Sequence, residues 1–211
     1  MRLSNIVNEV CAPQRGVRPG FDGRHVLKAL LLIYEREPIG RITLSKLLGI
    51  GETSVRTLIR RFRALGLVEV DAVGGCFLTE RGKILAEKFR RYVRRIEDVS
   101  ALMGDDLRLD SVALAALVDS RLVDSFHPMT IRDTFVRNGA SACIVARYRG
   151  GKLVLPPEDV GEERFPSLSR LREALGIEEG TGLIVVYAPT YDGAEKATYL
   201  GLAMLVDALE Y

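Results

Sequence analysis

The sequence predicts an α+β protein in two parts: a small N-terminal domain of helices closed by a β-hairpin, and a C-terminal α/β sandwich. Three observations carry this. The first half places apolar residues at helical spacing, with short β-type runs only near residues 67–79. The second half alternates strand-like and helix-like segments. Charge divides in the same way: residues 1–100 hold 19 Lys+Arg against 11 Asp+Glu, a net of +8, whereas residues 101–211 hold 11 against 17, a net of −6, within a chain total of +2. A basic half suits a polyanion and an acidic half does not, so any nucleic-acid surface is expected in the N-terminal half.

Residues 1–21 read as an N-terminal segment that ends in the loop "APQRGVRPGFDG". In "RHVLKALLLIYERE", Leu27, Leu30, Leu31 and Tyr34 recur at helical spacing behind Asp22, a residue suited to capping. Pro38-Ile39-Gly40 breaks this helix. "TLSKLLG" then gives a short second one, with Thr43 as N-cap, Leu44, Leu47 and Leu48 facing inward and Gly49 as the stop. After the tight turn "GIGE" a third helix is expected over residues 53–65, with Val55, Leu58, Ile59, Phe62 and Leu65 forming one apolar stripe. At about 100° per residue, the side opposite holds Thr53, Thr57 and Arg60, with Arg56 and Arg63 on one flank and Ser54 and Arg61 on the other. No acid interrupts this face. Helix surfaces ordinarily mix signs, because opposite charges at i, i+4 add about 0.2–0.5 kcal/mol and like charges cost as much. The arginines therefore call for an absent anionic partner.

"LVEV" and "CFLT" read as strands joined by "DAVGG", and "TERGKILAEKFRRYVRRIED" as a further helix capped by Thr79. Its stripe of Leu85, Phe89, Tyr92 or Val93, and Ile96 either packs on its own domain or forms a dimer seam. Helix, short helix, tight turn, basic helix, hairpin, helix resembles the winged helix-turn-helix DNA-binding domains of bacterial and archaeal regulators, the broad group that includes the MarR-like and Lrp-like proteins. The resemblance covers about residues 22–97 and rests on "TLSKLLGIGETSVRTLIRRFRALGLVEV" and "FLTERGKIL"; the domain is bounded at residues 22–99. It implies that the helix over residues 53–65 is a recognition helix lying in the major groove of double-stranded DNA. Thr53, Ser54, Arg56, Thr57 and Arg60 are then the candidates for base contact, Arg56 or Arg60 above all, because Arg matches guanine O6/N7. Arg61 and Arg63, with Arg41 and Lys46 nearby, are the candidates for phosphate contact. The expected wing tip, residues 71–75, has no Lys or Arg, which departs from the usual basic wing.

"SALMGDDLRLD" is polar and marks the charge switch, so the second domain is expected over residues 105–211. There "SVALAALV" reads as a buried strand, "TIRDTFVRNG" as a helix capped by Thr130 and stopped by Gly139, "SACIVARY" and "KLVL" as strands, "SLSRLREALG" as a helix, "GLIVVYA" as a strand and "GAEKATYLGLAMLVDALEY" as a final helix. The order βαββαβ plus a helix is the ferredoxin-like order. The whole arrangement, including "IRDTFVRNGASACIVARYRGGKLVLPPED", looks like a family of archaeal winged-helix proteins whose C-terminal domain has no established activity.

No Gly-rich phosphate loop, Ser nucleophile elbow or metal cluster is present, and Asp133 three residues after Thr130 reads as a capping box, so catalysis is not expected and no cofactor or metal is assigned. Cys11, Cys76 and Cys143 are too dispersed for a zinc site. A small-molecule effector is the better expectation. "APTYDGAEKAT" follows an apolar strand and opens the last helix, with Asp192 as cap and Thr190, Tyr191, Gly193 and Lys196 around it, and Arg132 offers a second positive group. The expected protein is a homodimeric transcriptional regulator. An enzyme with an accessory winged helix and a protein-interaction module are the alternatives. No apolar run approaches the roughly 18 residues that span a bilayer and the start lacks a secretory signal, so a cytoplasmic location is expected. Four Asn plus Gln (Asn5, Asn8, Gln14, Asn138) in a chain rich in Arg and Glu give a thermophile-like composition.

Overall fold

Caps and apolar stripes set the helices of the first part of the chain. The computed structural model describes residues 1–14, 16–71, 73, 75–157 and 159–210, and it divides into two compact units, Met1–Phe89 and Arg90–Tyr211. Among the described residues no helix is long and apolar enough to cross a membrane.

Unit 1 opens with α1 (Leu3–Cys11), whose Leu3, Ile6, Val7 and Val10 are buried one turn apart, so the N-terminal segment belongs to the core of this unit. α2 (Gly23–Arg36) begins at Asp22, whose carboxylate accepts from the Arg24 N–H at 3.1 Å while His25 Nδ1 accepts from the Asp22 N–H, also at 3.1 Å. That reciprocal box satisfies two of the orphan donors of the first turn. The two-residue strand β1 (Ile39–Gly40) leads into α3 (Arg41–Leu48), which ends on Gly49 at φ 68°. Thr43 lies inside α3; its N-cap is Gly40. α4 (Glu52–Ala64) follows a three-residue turn and buries Val55, Leu58, Ile59 and Phe62. β2 (Val68–Val70) and β3 (Gly75–Leu78) form the hairpin, and β1 adds to its other side to give the antiparallel order β1-β3-β2, with Ile39 opposite Cys76 and Val68 opposite Leu78. α5 (Glu80–Tyr92) starts with Thr79 Oγ1 accepting from the Gly82 N–H at 3.1 Å. Gly82 has to be glycine: a Cβ there would fall 2.2 Å from the Leu67 carbonyl oxygen.

The sequence pattern carries the last helix on to residue 98, but the structure ends it at Tyr92. Val93–Asp98 is a strand, β4, hydrogen-bonded antiparallel to β5 (Val112–Asp119). Val93 and Ile96 are β-branched and so favour a strand although their spacing is helical, and pairing with β5, with a register shift between Val93 and Arg95, decides the outcome. The division between units therefore falls at residues 89–90, ahead of the charge switch that suggested residues 100–104.

Unit 2 continues from β5 with α6 (Ser120–Asp124), α7 (Pro128–Arg137), β6 (Ala142–Arg149), β7 (Lys152–Leu155), β8 (Val160–Gly161), α8 (Pro166–Leu175), β9 (Thr181–Ala188) and α9 (Tyr191–Leu209). The sheet order is β4-β5-β9-β6-β7-β8, antiparallel throughout. This corrects the ferredoxin-like expectation in two ways. The last core strand, β9, lies between β5 and β6, so the inner order is β5-β9-β6-β7 and the strand following β6 is not inserted beside β5. The helices also cover both faces. Leu168, Leu171 and Leu175 of α8 pack on Ala115, Leu117, Leu183, Val185 and Tyr187, whereas Ala194 of α9 packs on Leu114 and Ala188 of the opposite face, with α7 beside it on β6. The physical reason lies in the strands. All eight residues of β9 are buried, as are the six central ones of β5, and continuous apolar strands need cover on both sides.

Candidate nucleic-acid interface

The stripe of α4 that packs inward fixes which of its arginines face out. Arg56, Arg60 and Arg63 of α4 and Arg41 at the start of α3 are exposed, and together they line one open groove of about 650 Å³ whose other walls are Ile59, Ala64, Val70, Asp71 and Val73. Helix and hairpin thus present four guanidinium groups to a common space. Asp71 is the one acid among the described residues of this lining, and its Oδ1 accepts from the N–H groups of Val73 at 3.0 Å and Gly75 at 2.7 Å and so closes the turn of the hairpin. Of the expected wing tip, Ala72 and Gly74 lie outside the described residues; Val73 is 97% exposed. The base of the hairpin is tied down by Glu37, whose Oε2 accepts from the Leu78 N–H at 2.8 Å and whose Oε1 lies 3.0 Å from Lys83 Nζ. Burial raises the Glu37 pKa, but these two partners outweigh it and hold the carboxyl below its ordinary value.

The other residues expected at a DNA surface separate into groups. Thr53 is exposed about 20° round the helix from Arg60, two turns before it, and Thr57 is half-buried. Ser54 faces the loop before α2, where a Cβ on Gly20 would fall 2.7 Å from its Oγ. Lys46 is exposed on α3. Arg61 is a correction. It is only 6% exposed, its Nη1 donates to the carbonyl oxygens of Val10 at 2.5 Å and Ala12 at 2.7 Å, and its guanidinium lies 5.6 Å from the centre of the Phe21 ring. A guanidinium spent on the last carbonyls of α1 is not available to a phosphate. On a helical wheel Arg61 sits at the margin of the stripe, and the wheel carries no sign that α1 ends beside it.

The second basic run of the chain is used within unit 2. Arg90 donates to the Arg94 carbonyl at 3.0 Å and Arg91 pairs with Glu210 at 3.3 Å. Arg94 donates to Thr181 Oγ1 at 2.8 Å and to the Gly180 carbonyl at 3.0 Å, and Arg95 to the Leu175 carbonyl at 2.6 Å.

The residues expected to receive an effector are differently arranged from the sequence reading. Thr190, rather than Asp192, caps α9: its Oγ1 accepts from the Gly193 N–H at 3.2 Å and its carbonyl from Ala194 at 3.0 Å. The N–H groups offered to an anion are therefore already engaged. Asp192 lies in the first turn, Tyr191 is 48% exposed and Lys196 is exposed. Arg132 is exposed on α7, a helix capped by His127 Nδ1, which accepts from the Met129 N–H at 3.3 Å, in place of the expected Thr130. A cavity that sequence reasoning missed lies elsewhere in unit 2. It measures about 390 Å³ and is lined by Ser120, Val123, Asp124, Arg147, Tyr148, Arg149, Glu179, Gly180 and Thr181. Arg147 there donates to the Val123 carbonyl at 3.1 Å beside Asp124, and Arg149 pairs with Asp159 at 2.8 Å. Two arginines alternating in the otherwise apolar strand "ACIVARYR" were the available signal.

Fold and groove together define an α+β protein in which a basic helical unit precedes a helix-covered antiparallel sheet. Residues 25–84 match the model of the PH0730-like N-terminal domain, and residues 111–204 match DUF4443, a domain of unknown function. Among solved structures, hypothetical protein PH0730 from Pyrococcus horikoshii OT3 aligns with a TM-score of 0.56 and 23% identity over 89% of this chain and 91% of that chain, a likeness of fold. An IclR transcriptional regulator from Alicyclobacillus acidocaldarius aligns with a TM-score of 0.27 and 11% identity over 88% of this chain and 97% of that one, too low to carry an argument. No curated protein is matched.

Proposed function

We propose that this chain is a DNA-binding transcriptional regulator whose first unit is a winged helix-turn-helix. The observation that carries the reading is the groove in which Arg41, Arg56, Arg60 and Arg63 face one space against a single acid among the described lining residues, Asp71. In this reading α4 enters the major groove, Arg56 and Arg60 meet base edges, and Arg41 and Arg63 meet phosphates. Unit 2 assembles a homodimer or binds an effector, the latter supported by the polar 390 Å³ cavity at one end of its sheet. An effector that favours one dimer geometry then shifts the population that fits two half-sites.

Selection of binding sites from random duplexes by the full chain tests this. An enriched palindrome is the expected result. Arg56→Ala and Arg60→Ala should each relax the selected sequence at one base pair, at a cost of about 1–3 kcal/mol of discrimination. No enrichment, with weak retention lost at modest salt, would point to a protein-interaction module, and turnover of an added metabolite to an enzyme.

A further inference from the structure

We infer that Arg61 is a positioning residue for α4, and that α1 with the loop after it forms a brace that fixes the rotation of this helix about its axis; the inference rests on the DNA-binding reading above. The groove residues and the brace occupy opposite flanks of α4. At about 100° per residue, Arg56, Arg60 and Arg63 fall within about 60° of one another, and Arg61 and Ser54 lie within about 20° of one another on the far side of the apolar stripe. The stripe is made of apolar contacts, which are non-directional and tolerate a small roll. The brace is directional. One buried guanidinium donates to Val10 and Ala12 at the end of α1, where a helix leaves carbonyls unpaired and favours a cation, and the same group stacks over Phe21, itself 7% exposed. Two turns earlier, Ser54 meets the loop at Gly20 with no room for a further methyl group. The two points hold both ends of the helix against the N-terminal segment.

The consequence is geometric. A side-chain tip rides about 5–6 Å from the helix axis, so a roll of 20° moves it by about 2 Å, enough to lose a hydrogen bond whose length varies by about half an ångström. Arg61 thus sets where Arg56 and Arg60 point without touching DNA.

The test measures affinity of the full chain for its selected duplex over a range of salt, well below the unfolding temperature. Arg61→Met, which removes the charge and both donated bonds but keeps a long unbranched side chain, should bind about tenfold more weakly with an unchanged salt slope. A phosphate ligand would instead lose about 0.9 from the slope, and that result overturns the inference. So does a folded Arg61→Met protein that binds with unchanged affinity. Phe21→Leu, which removes the stacking and keeps an apolar side chain, is the second variant. It should lose about threefold with the same constant slope, and unchanged affinity there also counts against the brace. A wild-type chain that binds no duplex sinks the DNA reading and this inference with it. Wild-type binding with unaffected variants sinks the inference alone.

Discussion

Removing two of the groove arginines, Arg41 and Arg63, should change how binding responds to salt. Arg41 and Arg63 are exposed and make no hydrogen bond or ion pair among the described residues, so truncating them should alter stability by no more than about 0.5 kcal/mol. If each neutralises one phosphate, it releases condensed counterions, and log K against log salt becomes shallower by about 0.9 for each one lost. Over a fourfold rise in salt, from about 50 to about 200 mM, one such contact is worth about 3.5-fold in affinity. Arg63→Ala should therefore flatten the slope by about 0.9 for each protomer bound, and Arg41→Ala/Arg63→Ala by about 1.8. Fluorescence anisotropy of a labelled duplex carrying the selected site, titrated at four or five salt concentrations, measures this directly. Slopes that stay constant in the single and double variants would refute the groove as a phosphate-binding surface. A fall in melting temperature with no change in slope would refute the assignment of these side chains to solvent.

Three further expectations concern the fold. Gly201→Ala would place a Cβ 2.4 Å from the Phe135 ring and so force α7 and α9 apart, costing about 1–3 kcal/mol in chemical denaturation. Thr190→Ala removes the side chain that caps α9 and should cost about 0.5–2 kcal/mol, with Thr190→Ser restoring most of it. Because Glu37 has a lowered pKa in the folded chain, its contribution to stability is present above the ordinary carboxylate value of about 4.3 and is lost as pH falls through the lowered one. Glu37→Gln should therefore flatten the acid limb of a melting-temperature profile, and an unchanged limb would remove Glu37 from that role.

What could be read from the sequence was what neighbours in sequence determine. The cap at Asp22, the stop at Gly49, the Thr79 start and the stripe from Val55 to Phe62 are local signals, and the structure has each of them. The continuous apolar runs of β5 and β9 also identified strands, and read further they already implied a sheet covered on both faces. Misses came where a distant partner decides. Val93–Asp98 becomes a strand because β5 is there to pair with it, although its apolar spacing continues the preceding helix. Strand order in unit 2 is a long-range property with no local trace. Of the expected phosphate contacts, Arg63 and Arg41 meet in one groove, whereas Arg61, two residues before Arg63 in the chain, points to the end of α1. Neutral-looking totals conceal such sorting, because an arginine facing a carbonyl and one facing solvent count alike.

Asp71 shows how shape and charge can be uncoupled at one atom. Its Oδ1 does the work of closing the hairpin turn, and the amide oxygen of asparagine can accept the same two bonds. The carboxylate's negative charge is therefore incidental to the turn and opposes any polyanion that enters the groove. Asp71→Asn should keep the hairpin and tighten DNA binding most at low salt, and an exchange of one oxygen for an NH₂ group becomes a dial on affinity that leaves every arginine in place.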